Sequence, residues 1–598
     1  MKSLIVLWKS IAEESAIRCC TSTTLDIKTV QGRVKHEGYS FLTITLPSFG
    51  KDFQKSLDQG MVDHTMFQGF SWHRGLPRFL GGFLDRVFSR DSGVLLDEPD
   101  IDAILAVRQL TLFFSKILLP CSDARERDAM SAYIECDKEV ARHDSLIDPS
   151  LMDDFERVSG ILFRDLFCEM DRKIHFKELV PKHGPGATAD KYRGNGKYRS
   201  RTWTDRLEPF FHSGEYLFPS PRYVEEDAVD FLEPGSEIPV KVISVPKTQK
   251  TPRIIAVEPT CMQYAQQAVL QDLIAGIEGS FLRSFIGTGD QSPNQRLAQK
   301  GSFDGSLATL DLSEASDRVS NQLVRRLLVN NPELLGAVDA CRSRKADVPG
   351  HGIRRLSKFA SMGSALCFPF EAMVFITICF IGIERELNTR FVKKRDFLPY
   401  LDKVRVYGDD IIVPTNTVHS VVHALELFGA SVGMSKSFWT GRFRESCGKE
   451  YYEGYDVSIV KARRVFPSTP RHAPEVISLV SLRNQLYKAG YWNTVKWLDT
   501  RIVRIIRYFP YVSDTSSVLG RFSFLGYETQ RECEKLHAPL VKGHVVSSRL
   551  PLDHLDGPSA MLKCFLKRGS EPVADRNHLE RAGRPRRVDT KPRWASPF

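Results

Sequence analysis

Two aspartates, Asp409 and Asp410, interrupt the apolar run VRVYGDDIIV at 404–413. β-Branched residues on both sides of Tyr407-Gly408 predict a hairpin with both acids at its tip. A third acid, Asp311, ends the strand-like run SLATLDLSEASD, which passes through Ser313, Glu314 and Asp317 into a helical stretch with Ser313 or Ser316 as N-cap. Three carboxylates gathered without compensation repel one another and raise at least one pKa, whereas divalent cations convert the cluster into a stable site. All-oxygen donors select Mg²⁺, with Mn²⁺ as an alternative. In two-metal phosphoryl transfer one ion activates the attacking hydroxyl and the other neutralises the leaving pyrophosphate, the pair lying about 4 Å apart.

Two further segments could serve that chemistry. Lys247, Lys250 and Arg253 lie in VPKTQKTPRIIAVEP, where prolines and β-branched residues predict an extended loop able to hold cations over a triphosphate. In FASMGSALCFPFEAMVF (359–375), Gly363 permits a backbone approach that a side chain would block, and Ser364 can hydrogen-bond a sugar hydroxyl. Taken singly, each segment also fits a solvated turn or an ordinary loop.

The elements that must position these residues can be read more coarsely. The chain has 598 residues, long enough for more than one core, and no internal repeat. Residues 1 to about 175 are helical in pattern, with Ile101–Ile117 as one amphipathic or buried helix, and show no chemistry. Residues 176–305 are punctuated by Gly and Pro and rich in basic side chains; 306–465 alternate short strands with longer helices, as an α+β sheet domain requires. Residues 466–566 return to helical spacing, and there WLDTRIVRIIRYF places Arg501, Arg504 and Arg507 in a drifting basic stripe suited to RNA phosphates. From Lys567 the chain is Arg- and Pro-rich and is expected to be a disordered cationic tail, with docking through Trp594 and Phe598 as the other option.

A formal charge of +10 favours a polyanionic partner, while 26% charged residues is ordinary globular composition. The 12 cysteines show no zinc-ligand spacing and are expected to be reduced thiols. MKSLIVLWKSIAEES has too short an apolar run for a signal peptide. The apolar stretch 372–383 is too short to span a bilayer and is expected to be a buried helix, so no membrane is invoked.

In order, the basic loop, strand-end Asp, Gly-Ser loop with helix and Asp-Asp hairpin resemble the consecutive motifs of a right-hand polymerase palm. SPNQRLAQKGSFDGSLATLDLSEASDRVS (292–320) and FRESCGKEYYEG (443–454), with HGPGA (183–187), VPKTQKTPR and RFLGGF (78–83), narrow the resemblance to the replicases of RNA bacteriophages, the leviviruses. It covers roughly residues 75–465 and thins at both ends. It implies fingers and scaffold at 1–175, fingers with the nucleotide-facing loop at 176–305, a catalytic palm at 306–465 and a helical thumb at 466–566. Asp311, Asp409 and Asp410 match the metal ligands, and Lys247, Lys250 and Arg253 the loop facing incoming nucleotide. Lys436 falls where such polymerases place the lysine that protonates pyrophosphate. In the second palm motif, Ser364, Ala365 and Cys367 depart from the family's usual Gly-Asn and Thr.

The resemblance implies an RNA-dependent RNA polymerase acting on template RNA and ribonucleoside triphosphates in the cytoplasm of an infected bacterium. Its partners would be host elongation factors Tu and Ts and a small-subunit ribosomal protein. A reverse transcriptase shares the palm, but carries a bulky aromatic where Glu314 to Asp317 here offer small and acidic residues, with Asp317 placed to accept a bond from a ribose hydroxyl. A mitovirus-like replicase would lack the FRESCGK segment. A catalytically dead RNA-binding scaffold has no reason to gather acids against a polyanion.

Overall fold

The structure, a computed structural model, describes residues 2–224, 228–567, 579–581 and 587–598. The class is α+β, as expected. At its centre lies a four-stranded antiparallel sheet in the order Arg405–Tyr407, Asp410–Pro414, Leu307–Ser313, Ser431–Val432. The LATLDLS strand is buried at Leu307, Ala308, Thr309 and Leu310 and opens toward solvent only at its end, where Asp311 is half-buried and Ser313 exposed. Hydrophobic burial thus fixes the strand while leaving its acid end accessible.

Behind the sheet runs the helix Cys367–Leu387, in which every residue from Pro369 to Glu384 is buried. Among the described residues it is the one helix long and apolar enough to cross a membrane, but its apolar window is 94% buried inside the protein, where it serves as the core helix expected from the sequence. It packs on Val418–Leu427 so closely that a Cβ on Gly382 would meet the Val421 Cα at 2.6 Å. The same core takes in Pro149–Leu162, Arg164–His175 and Thr260–Glu278.

A second four-stranded sheet has the order Arg253–Val257, Val240–Val245, Lys345–Val348, Gly352–Arg355. Its first two strands are an antiparallel pair, so the segment from Pro246 to Pro252 is the loop that joins them. The expectation of an extended loop is corrected: the segment turns at Gln249-Lys250, where the Thr248 N–H donates to the Thr251 carbonyl at 3.3 Å and the Thr251 N–H to the Thr248 hydroxyl at 3.2 Å, because the antiparallel strands on either side must be joined by a reversal.

The N-terminal 175 residues divide between cores. Leu7, Trp8 and Ile11 of the helix Lys2–Arg18, with Phe49, Phe53 and Ile104, share one hydrophobic cluster with Leu486, Leu498 and Ile502 from the C-terminal helices Ala473–Lys488 and Trp492–Ile506. The Trp8 indole N–H donates to the Leu110 carbonyl at 2.8 Å. Met130 and Tyr133, on the helix Asp123–Asp144, instead pack with Val240, Ala256 and Ala346 of the second sheet. The beginning of the chain therefore packs with the helices Ala473–Lys488 and Trp492–Ile506, while the helix Asp123–Asp144 supports the second sheet.

The expectation of a disordered tail is corrected over the part of it that is described. Arg587–Ala595 forms a strand paired antiparallel with Pro539–Arg549, in register from Val541↔Ala595 to Arg549↔Arg587; residues 568–578 and 582–586 lie outside the described residues. The alternating pattern RVDTKPRWA suits a strand once a partner edge is present, which composition alone cannot reveal. Trp594 carries the Arg531 guanidinium over its ring, and Phe598 lies 5.4 Å from the Tyr527 ring. Deleting residues 587–598 strips one edge of Pro539–Arg549 and is expected to lower the melting temperature by several degrees; an unchanged melt would show the pairing to be dispensable.

Candidate active site

The antiparallel register sets Asp410 directly opposite Asp311, so the two side chains share one face of the sheet. Asp409 sits exposed in the two-residue turn between Tyr407 and Asp410. Gly408 makes that turn with φ +61°, and a Cβ there would come within 2.9 Å of the Phe368 ring. The hairpin expected from the sequence is present, with Asp409 in the turn and Asp410 opening the second strand.

Three contacts hold the acids. The Lys436 ammonium donates to both Asp311 carboxylate oxygens, at 2.8 and 3.0 Å. The Asp311 backbone N–H donates to the Ser437 hydroxyl at 3.1 Å, and the Cys447 N–H donates to Asp410 Oδ2 at 3.1 Å. Burial pushes the Asp410 carboxyl up to about 6, with Asp409 and Asp311 adding repulsion. Burial also raises Asp311, although Lys436 counteracts it. Lys436 itself is raised: burial pulls it down, but the attraction of Asp311, Glu445 and Asp409 outweighs this.

The donor chemistry fits a hard divalent ion, because every candidate ligand is a carboxylate and their mutual repulsion is what a cation would relieve. Among the described residues no three His, Cys, Asp or Glu side chains form a ready-made cage. The metal reading rests on the all-carboxylate donors and the cross-strand pairing of Asp410 with Asp311.

Cations converge from two directions. Lys247 is held below the ordinary lysine range by burial, then by Arg253 and Lys436, with Asp409 and Asp311 pulling the other way. Lys247 therefore lies within electrostatic reach of Asp409, Asp311 and Lys436. The loop is tied to the N-terminal region: Arg125 donates to the Gln249 carbonyl at 2.9 Å and the Thr43 hydroxyl to Gln249 Oε1 at 2.5 Å. From the same region come two lysines that sequence reading missed. Lys51 is depressed by burial and by Lys436 and Lys250; Lys116 is pushed down to about 8 by burial, Lys461, Lys247 and Lys436. Neither lies in a motif: Lys51 is a single lysine on the helix Leu46–Gln59, and Lys116 lies in the turn after Ile101–Leu112, where the helix stops short of the Ile117 expected from the sequence. Glu371 was also missed: burial, then Asp409 and Asp317, push it up to about 8.

Gly363 lies against the same strand as Arg253. Its φ is +136°, and a Cβ there would sit 1.9 Å from the Ala256 carbonyl oxygen, whose own N–H donates to Met362 O at 2.9 Å. The close backbone approach expected of Gly363 is thus made to protein. Ser364 departs from expectation. Its hydroxyl donates to Gln266 Oε1 at 3.1 Å and accepts the Leu366 N–H at 3.3 Å, so its proton braces the loop and only its remaining lone pair is open to a sugar hydroxyl. Asp317, in the short helix Ala315–Arg318, accepts from the buried Lys358 ammonium at 2.9 Å.

Arg501, Arg504 and Arg507 are all exposed, opposite the buried Leu498, Ile502 and Ile506. Arg501 rests over Trp497 and Arg507 over Tyr508. Ile505, expected on the buried side, is half-buried.

Residues 236–521 match the family model described as RNA replicase, beta-chain. The RNA-directed RNA polymerase beta chain of Enterobacteria phage fr is 34% identical over 307 residues, 50% of this chain and 49% of that one. That of Escherichia phage MS2 is 38% identical over 221 residues, 36% of each chain. The beta subunit from Escherichia virus Qbeta is 34% identical over 262 residues, 43% of this chain and 39% of its own. The chain thus spans about half the length, or less, of these curated relatives. Among solved structures, the RNA-dependent RNA polymerase of BmCPV at its quiescent state aligns over 84% of this chain and 46% of its own, with 9% identity and a TM-score of 0.37.

Proposed function

We propose that this chain, whose residues 236–521 are those of an RNA replicase beta chain, is an RNA-directed RNA polymerase that copies the single-stranded RNA of a bacteriophage. The observation that carries the reading is the register Asp410↔Asp311, with Asp409 in the adjoining turn, because these residues fall inside the matched segment. Asp311, Asp409 and Asp410 would hold two divalent ions, Mg²⁺ by donor hardness or Mn²⁺, which supply activation of the attacking hydroxyl and charge neutralisation at the leaving diphosphate. Lys247, Lys250 and Arg253, joined by Lys51 and Lys116, bind the triphosphate as point charges and one guanidinium fork. Gly363 and Ser364 set the wall of the nucleotide site by fixing the loop against the Arg253 strand, and Asp317 accepts a bond from the ribose hydroxyl. The Lys436 Nζ is the nearest acid from which the leaving diphosphate can take a proton.

The proposal extends to substrates and partners. Template and product RNA and ribonucleoside triphosphates follow from the relatives' activity. The host elongation factors Tu and Ts, a small-subunit ribosomal protein and a bacterial cytoplasmic setting follow from the family resemblance alone. The test is extension on a single-stranded RNA template by the full chain in bacterial lysate, with and without chelator. Chelator-sensitive incorporation of ribonucleotides is expected; incorporation of deoxynucleotides alone would make the protein a reverse transcriptase, and no incorporation would leave a binding scaffold.

Two weaker assignments have their own expected results. Arg253→Ala should raise the KM for nucleotide about thirty-fold, corresponding to about 2 kcal/mol for a charge-assisted contact to phosphate. If nucleotide kinetics hold and only the melting temperature falls, the loop is structural. Neutralising Arg501, Arg504 and Arg507 together should flatten the dependence of log RNA affinity on log salt by up to about 2, at about 0.7 per single-strand phosphate contact. An unchanged slope makes the stripe a solvated face.

A further inference from the structure

The exposed end of Asp317 is steadied by a buried arrangement that the polymerase reading does not use. Lys358 is fully buried, with its side chain at 0% exposure, yet its ammonium reaches Asp317 Oδ1 at 2.9 Å. The same ammonium lies 3.4 Å from the centre of the Tyr133 ring. The Tyr133 hydroxyl is 2.8 Å from that of Ser361, the residue before Met362-Gly363. One helical turn on from Tyr133, Asp137 Oδ1 accepts the backbone N–H groups of Ser357 and Lys358, each at 3.0 Å. On its other side the Lys358 carbonyl accepts from Arg342 at 2.6 Å.

A buried ammonium is costly unless it is paired, and here its one carboxylate partner is Asp317. Although burial opposes it, the pull of Asp317, Tyr133 and Asp137 holds Lys358 above the ordinary lysine range, so it stays charged. Asp317 keeps about a fifth of its side chain exposed, and among the described residues only its Oδ1 has a hydrogen-bond partner. Oδ2 is left with its full accepting capacity. Asp317 and Asp409 both act on Glu371, which places the Asp317 carboxylate in the neighbourhood of the catalytic acids.

We propose that Lys358, held by Tyr133 and Asp137 of the Asp123–Asp144 helix, is the positioning residue that sets ribose selectivity through Asp317. Pinning Oδ1 fixes the carboxylate so that Oδ2 meets the 2′-hydroxyl of an incoming ribonucleotide; without the pin the aspartate samples other rotamers, and the acceptor is present only part of the time. The helix Asp123–Asp144, which carries no motif, thereby takes part in substrate choice. This inference rests on Asp317 as the ribose contact, as read above.

The experiment measures the ratio of kcat/KM for a ribonucleoside triphosphate to that for its 2′-deoxy analogue, in the full chain, for Asp317→Asn, Lys358→Met and the double variant. A general loss of folded enzyme lowers both terms and leaves the ratio alone. Lys358→Met is expected to lower it at least about ten-fold, as Asp317→Asn does, and the double variant to lower it no further, since both act through one contact. The double variant removes both charges and keeps the test alive if Lys358→Met does not fold. A ratio unmoved by Asp317→Asn overturns the ribose reading and the proposal with it. A ratio lowered by Asp317→Asn but held within about two-fold by Lys358→Met, or lowered further in the double variant than in Asp317→Asn, overturns the role of Lys358 alone.

Discussion

Asp311→Asn is expected to abolish nucleotide incorporation, by about three orders of magnitude or more, while RNA affinity stays within about two-fold. The substitution removes one negative charge and adds no bulk, so the sheet should keep its register. Two functions are lost together. The carboxylate opposite Asp410 no longer offers a charged oxygen for a divalent ion, and Lys436 loses the partner that orients its ammonium at 2.8 Å. Asp409→Asn, in the exposed turn, should match the loss of activity while keeping the Lys436 hydrogen bonds to Asp311, which separates the metal role from the lysine's orientation. The measurement is divalent-ion-dependent extension beside filter binding of the template. Near-normal turnover in either variant removes the metal assignment.

The second large effect is expected from one methyl group. Gly363→Ala places a Cβ 1.9 Å from the Ala256 carbonyl oxygen, at a φ of +136° that side-chain-bearing residues rarely adopt. Backbone strain of about 1–3 kcal/mol and the forced separation of two backbones combine, because no flexible side chain is available to yield. The shift moves the strand that begins with Arg253, so the KM for nucleotide should rise along with a drop of several degrees in melting temperature. An unchanged melt with an unchanged KM would mean that the loop relaxes freely and that the approach of Gly363 to Ala256 has no role in shaping the nucleotide site.

The sequence by itself determined the local pieces. Apolar β-branched runs flanking Gly408 specify a hairpin, since no other short structure satisfies both the period of two and the need for a positive φ. The apolar run 372–383 specifies a buried helix, which the structure extends to Cys367–Leu387. Prolines in VPKTQKTPR specify a non-helical connection, though not its turn. The resemblance to a polymerase palm rests on the order of these pieces, because order along a chain survives where individual motifs are ambiguous.

Tertiary structure alone decided which pieces meet. That Asp410 stands opposite Asp311 depends on pairing between strands separated by about a hundred residues, and nothing within either strand encodes the partner's register. Lys51, Lys116 and Lys358 join the site from segments without motifs, because charge at a site is summed through space and not along the chain. That the Ser364 proton goes to Gln266, on a helix about a hundred residues away, is likewise invisible in the sequence. The last strand, Arg587–Ala595, reads as a polar tail because its apolar contacts are few; what orders it is the open backbone edge of Pro539–Arg549, whose unpaired N–H and C=O groups leave no mark on composition.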